Sequence, residues 1–412
     1  MDTLTRRRFL IASGVTGGVV LAAGAAGTTV YTLKDILDTA TDRPTDAKTL
    51  VLVTLYGGND GLNTVIPYAD PAYHDARPDL AYRPEEVLRL DSALGLNPGL
   101  RGFKRLFDQH KLAIVRGVGY SKPDHSHFRS MDIWQTGQPD RPGTTGWLGR
   151  WLDATGGDPR HAVSFEPVLP PVLAGATVAG AAIAPKPEKT IKVLPAFGKP
   201  SPGEPPLQAC AARAYADLAE VDQMIHEVDS HARSNPSPSG TGKDTGTDTG
   251  GARTALKTQL DLVARCIEAN VATRVFSVSL GGFDLHADEK EPQQRLLTEL
   301  DTAITGFVDR MAGTPSGRKT VVAIYSEFGR RVRANASEGT DHGTASDMFM
   351  LGAPVRGGFY GVQPSLTDLD NGDLKFTTDF RDVYAALLDD VLGTDPGKIL
   401  AGWKTSLKSL VS

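Results

Sequence analysis

The chain alternates short apolar runs with longer amphipathic segments. The run TLVLVTL, residues 49–55, is almost wholly apolar and stops at Tyr56-Gly57-Gly58. A run without polar alternation suits a strand covered on both faces. LAIVRGV (112–118), 275–280, KTVVAIY (319–325) and 348–351 read the same way, each ending near glycine or a polar residue. Helical periodicity marks the segments between them. Residues 126–136 carry Phe128, Met131, Ile133 and Trp134 in one register, and 207–228 and 254–270 are amphipathic. Residues 294–311 have apolar side chains at 296, 297, 300, 303, 304, 307 and 308, and 380–392 forms a last helix. The Pro- and Ala-rich stretch 157–206 reads as short strands and connections. Strands alternating with long helices predict an α/β fold, a mainly parallel central sheet with helices on both faces.

Two segments fall outside that pattern. Residues 233–252, RSNPSPSGTGKDTGTDTGGA, have no apolar face with which to offset the entropy of ordering, and read as a flexible insertion. Residues 1–30 hold Arg6-Arg7-Arg8-Phe9-Leu10 followed by a weakly apolar Gly/Ala-rich run. This reads as a twin-arginine export signal, with Ala23-Gly24-Ala25 as a cleavage candidate. The alternative is an uncleaved anchor, and membrane contact is expected only there. Residues 31–46 form a polar lead-in and 47–412 a single domain.

Composition narrows the function classes. A net charge of -5 without a basic cluster gives no reason to expect nucleic acid. The two cysteines, Cys210 and Cys266, match no metal motif; in an exported protein they permit one disulfide, and two buried thiols fit equally.

Candidate chemistry gathers where strands end. Asp60 lies in Gly57-Gly58-Asn59-Asp60-Gly61 after the first strand, Asp284 and His286 follow the strand 275–280, and Glu327 follows 319–325. Asp341 and His342 come fifteen residues later in a glycine-bounded loop. Parallel strands point their C-terminal ends at one edge, where open α/β proteins bind ligands. These six residues are therefore expected to converge on one or two divalent ions, with zinc, calcium, magnesium and manganese undistinguished. Each has a plainer reading: an Asx-turn for Asp60, a hydrogen-bonded loop histidine for His286, an ion pair with Arg330 or Arg331 for Glu327. Ser126 and His127 open the predicted helix 126–136. A hydroxyl there would meet free backbone N–H groups, or would simply cap the helix.

In YGGNDGLN (56–63), HSHFRSMDIWQTG (125–137), GWLGR (146–150), GFDLHADE (282–289), SEFGRRVRAN (326–335), GTDHG (339–343) and GGFYG (357–361) the chain resembles the exported domain-of-unknown-function 1501 family. That family belongs to the alkaline-phosphatase/sulfatase-like superfamily. The resemblance implies a two-metal site matched by Asp60, Asp284, His286, Glu327 and His342. Aligning Thr136-Gly137 with the superfamily's Thr-Gly puts the nucleophile position on His127, one residue after Ser126. Phe328 stands where the superfamily usually has a ligating histidine, and Glu327 replaces an aspartate. No Cys-x-Pro-x-Arg is present for a formylglycine.

The expected function is an exported metal-dependent hydrolase acting on a small-molecule or polymeric phosphate or sulfate ester. Ser126 or His127 would face the scissile group and Arg330 would stabilise the anion. The rival is a non-enzymatic exported surface or assembly protein that binds a partner protein and keeps at most one structural metal. Deleting residues 233–252 is expected to leave the thermal unfolding midpoint nearly unchanged, since long surface loops add little closure entropy. A large drop would show that the segment packs on the domain.

Overall fold

The computed structural model describes residues 21–24, 27–30, 33–40, 44, 46–166, 168–183 and 255–411. The predicted helix 207–228, the insertion 233–252 and Cys210 lie outside them, whereas Cys266 is buried as a free thiol. Within the predicted targeting segment, Leu21–Gly24 and Gly27–Val30 pair as an antiparallel hairpin. Among the described residues no helix is long and apolar enough to cross a membrane.

Among the described residues, nine strands form the central sheet: β1 (Thr49–Leu55), β2 (Leu112–Gly119), β3 (Ala162–Ser164), β4 (Ala181–Ala182), β5 (Val275–Leu280), β6 (Thr320–Ser326), β7 (Ser346–Leu351), β8 (Gly358–Tyr360) and β9 (Thr378–Asp379). Their order is β8-β2-β7-β6-β1-β5-β3-β4, with β9 also on β2. Only β7 runs against the others. β1 is buried along its whole length. Its Val51, Val53 and Leu55 enter the apolar cluster on one face, and Leu50 and Leu52 enter the cluster on the other. The alternation is that of a pleated strand with helices on both sides.

The first face is covered by α1 (Arg101–Asp108), α4 (Leu256–Glu268) and α5 (Lys290–Ala312), through Phe103, Leu260, Val263, Leu300 and Ile304. The second is covered by α2 (His127–Thr136), α3 (Trp147–Ala154) and α6 (Phe380–Ala386), through Trp134, Trp147, Trp151 and Tyr384. The mainly parallel sheet with helices on both faces is the expected architecture. Several details differ from expectation. α5 begins at Lys290, four residues early, because Pro292 falls in the first turn, where its missing N–H costs nothing. The last helix leaves α geometry after Ala386 and continues as a π turn, Leu387–Val391. Phe128 does not join the core and is 87% exposed, since α2 turns its first residues toward solvent before Ile133 and Trp134 reach the interior. α1, α3 and a small antiparallel sheet of Val65–Ile66, Gly95–Leu96 and Leu88–Arg89 had no clear signal in the sequence.

Register brings the functional edge into line. Leu280 of β5 and Ser326 of β6 both pair with Leu55 of β1. The turns that follow, carrying Gly57, Asp284 and Glu327, therefore emerge side by side. Gly57 has φ 112°, and a Cβ there would sit 2.5 Å from the Asp284 amide nitrogen. Both the conformation and the contact demand glycine. Gly57→Ala is expected to cost about 2 kcal/mol or more of stability. Chemical denaturation would show it, and an unchanged midpoint would mean that the two turns do not touch.

Candidate metal centre

Three imidazoles and one carboxylate meet above the ends of β1, β5 and β6. His127 comes from the first turn of α2, after β2. Asp284 and His286 come from the turn after β5, and His342 from the connection between β6 and β7. The Nε2 atom of His342 lies 3.1 Å from that of His127 and 3.0 Å from that of His286. Asp284 Oδ1 is 3.1 Å from His342 Nε2 and 2.9 Å from His286 Nε2, and its Oδ2 is 3.4 Å from His127 Nε2. Tetrahedral bonds to zinc of about 2.0–2.1 Å place ligand atoms about 3.3 Å apart, so these separations match the edges of one coordination sphere. Among the described residues, His127, Asp284 and His342 form the one grouping close enough on all sides to hold an ion, and His286 adjoins it on the exposed side, against Asp284 and His342.

The other ring nitrogens explain why the Nε2 atoms converge. His127 Nδ1 lies 2.8 Å from Glu327 Oε1, and His342 Nδ1 lies 2.8 Å from the carbonyl oxygen of His125. His286 Nδ1 is 3.5 Å from Asp341 Oδ1. With a hydrogen-bond acceptor beside Nδ1 of His127 and of His342, each ring when neutral keeps its proton there and turns its Nε2 lone pair inward. In that tautomer the lone pairs face one point, and the donor set fits a divalent ion of the zinc type.

The charges agree with that fit. Burial works against ionised Asp284, yet hydrogen bonds from His127, His342 and Arg330 hold its carboxyl far below the ordinary range. Burial also disfavours charged His127, but Asp284 and Glu327 outweigh it and raise the imidazole to about 9. The site thus attracts positive charge at its centre.

Five of the expected site residues hold other places. Glu327 does not enter the ligand set: its Oε1 accepts from the Gly57 amide (2.8 Å) and faces His127, while its Oε2 accepts from the Ser326 hydroxyl (3.1 Å). It orients a ligand. Asp60 is also apart from the set. Both its oxygens accept from Arg77, the Oδ1 contact at 3.0 Å, in a completely buried pair. Arg77 donates further to the carbonyls of Val332 and Arg331, so it is locked in place. Asp341 is exposed; its Oδ1 accepts from the Asn335 side-chain amide at 3.3 Å and faces the outer nitrogen of His286. Arg330 is fully buried and donates to the carbonyls of Gly57, Gly58, Phe283 and Thr340 as well as to Asp284 Oδ1. These contacts commit it to holding the ligand turns rather than a substrate anion. Ser126 takes the N-cap position of α2 with no side-chain cap, and it is exposed. His127, read as a nucleophile position, is one of the converging donors.

Two participants carry no signal in the residue pattern, and a third stood out only as a departure from a family pattern. Arg77 lies in a polar stretch without a motif. His125 acts through its carbonyl, which no residue type signals. Phe328, the departure, packs its ring on His127 and His342, with centroids 4.8 and 4.9 Å away, and forms an apolar wall beside them.

The profile of the DUF1501 family, described as proteins of unknown function, matches residues 121–410. The chain belongs to this family. The match includes every converging donor and leaves out β1 and Asp60. No curated protein matches the sequence. Similar solved structures include the lipoteichoic acid synthase LtaP of Listeria monocytogenes, at 10% identity over 90% of this chain and 81% of that one, TM-score 0.38. An alkaline phosphatase superfamily protein of Vibrio parahaemolyticus has 9% identity over 90% and 76%, TM-score 0.42. The phosphonate monoester hydrolase SpPMH of Silicibacter pomeroyi has 11% identity over 88% and 78%, TM-score 0.34. At such identities and scores the chemistry of the family member has to come from its own site.

Equilibrium dialysis with metal analysis is expected to find one divalent ion per chain. His342→Ala and Asp284→Ala should each abolish binding. Glu327→Gln should weaken it about 10–100-fold, the usual effect of losing an orienting partner. Two ions per chain, or full binding by Asp284→Ala, would contradict the assignment.

Proposed function

We propose that the protein is an exported, metal-dependent hydrolase of a phosphate or sulfate ester. The observation that supports it most is the inward convergence of three imidazole Nε2 atoms and the Asp284 carboxylate, with His286 45% exposed on the open side. The twin-arginine sequence at Arg6-Arg7 supports work outside the cytoplasm. His127, Asp284, His286 and His342 would hold the ion. Once bound, it would supply Lewis acidity toward an ester oxygen and make nearby water more acidic.

The chain's own groups do the rest. Glu327 keeps the His127 proton on Nδ1, and the carbonyl of His125 does the same for His342. Arg330 fixes the position of Asp284. Phe328 excludes water from one side of the imidazoles. With His127 among the ligands, Ser126 is the remaining candidate for a covalent nucleophile, and its hydroxyl has no orienting cap bond. Direct attack by water is therefore the mechanism adopted.

One observation favours the non-enzymatic reading. His286 beside the other three donors would bring the protein ligands to four, the number in structural sites, and Arg77 seals Asp60 away from any second ion. A panel of chromogenic phosphate monoesters, phosphate diesters and sulfate esters, applied to metal-loaded protein, separates the two. Turnover lost on chelation and restored by metal supports the hydrolase. Full metal occupancy without turnover of any ester supports the structural ion. Ser126→Ala is expected to keep turnover within about threefold, whereas loss of an activated nucleophile removes several powers of ten.

A further inference from the structure

Beside the metal centre lies a cavity of about 550 Å³, in the size range of small-molecule sites. It is bounded by the segment 119–125 after β2, by Phe328, Arg331, Thr344 and Ala345, and by the loop 370–376. The two places share walls. Phe328 lines the cavity and packs against His127 and His342, and His125 lines it while its carbonyl holds His342. A substrate whose ester group sits at the ion would have its organic part here.

The lining limits what that part can be. Its fixed charges balance: Lys122, Arg331 and Lys375 against Asp124, Asp370 and Asp373. A polyanion would meet as much repulsion as attraction. A plain alkyl chain would desolvate charged groups without replacing their hydrogen bonds, which is costly. A neutral group rich in donors and acceptors avoids both penalties. Apolar surface for its flat face is also present, on the 39% exposed Phe376.

Asp373 adds an independent indication. Its side chain is 95% buried, since only 5% is exposed, and its Oδ2 faces His125 Nε2 at 2.8 Å. Its Oδ1 has no hydrogen-bond partner, and the nearest cation, Arg331 Nε, stands 3.8 Å away. A buried carboxylate oxygen lacking a donor is an acceptor suited to a ligand hydroxyl.

We infer that this cavity binds a neutral, polyhydroxylated ring, so that the ester cleaved at the metal centre is a sugar or cyclitol ester. This rests on the hydrolase reading for its reaction but not for its binding. Two experiments on the full, metal-loaded chain separate them. Saturation-transfer NMR with methyl glucoside, methyl galactoside and myo-inositol tests binding without turnover. Wild type should bind at least one of them, and Phe376→Ala should weaken it about tenfold through loss of the stacking face, with metal content unchanged. Asp373→Asn, nearly isosteric, should also weaken it without a change in metal content. Hydrolysis of hexose 6-phosphate and 6-sulfate is then compared with octyl phosphate and octyl sulfate. The hexose esters should be preferred in kcat/KM, and the preference should shrink in both variants. Ring binding without hydrolysis of any ester would uphold the cavity and sink the hydrolase. Hydrolysis of octyl and hexose esters at equal rates, or no binding of any of the three ring probes, would overturn the cavity assignment.

Discussion

The buried guanidinium of Arg330 is the constraint on which the site depends. Three turns, each at the end of a different strand, meet around it. It takes the carbonyls of Gly57 and Gly58 after β1, the carbonyl of Phe283 and the carboxylate of Asp284 after β5, and the carbonyl of Thr340 before His342. Turn carbonyls at a sheet edge have no ladder partner, and burying them unpaired would cost about 1–3 kcal/mol each. One planar cation with its donors fixed in a fork satisfies several of them at once, which a flexible ammonium cannot do. The ligand positions are a by-product of that satisfaction. Asp284 is aimed by the same group that ties down the backbone around it.

Electrostatic balance then divides the acids at the edge into two groups. Asp60 is neutralised by Arg77 inside the protein, where burial would lower the arginine's pKa and the carboxylate more than restores it. Glu289, beside them, accepts from the Thr340 hydroxyl at 2.6 Å and is pushed up to about 8, chiefly by burial and then by Asp60. The Asp284 side has one fixed cation and several imidazoles, so an ion could take part in its balance. A single guanidinium thus decides which carboxylates serve structure and which stay available to an ion.

Much of the fold was legible because β1 and β6 are largely apolar on both faces, β5 is apolar on one, and α4 and α5 keep a helical period. The edge on which ligands gather followed from strand direction. Asp284, His286 and His342 could be read as donors because they lie within glycine-bounded turns. Glu327 and Asp60 could not be separated from them, since a carboxylate that binds an ion and one that orients a histidine or pairs with an arginine have the same residue type in the same kind of turn. The difference lies in contacts across 200 and 17 residues, Glu327 to His127 and Asp60 to Arg77, and no local pattern carries it. α1 and α3 were missed because each is only eight residues long, and tertiary packing rather than periodicity holds such helices.

The reversed strand β7 has a consequence for the order in which the molecule comes together. Because β7 runs back from the edge where β6 ended, the chain needs no crossover between them, and His342 sits on a connection anchored at both ends within residues 320–351. That unit is local and closes at little entropic cost. His127 is 215 residues from His342 along the chain, and Asp284 is 58. These partners meet only after long parallel connections have been closed, the slow part of building such a sheet. An ion needing all of them has no complete shell in a half-formed chain. Its capture would mark the end of folding, and its binding free energy would act on the finished domain as a latch.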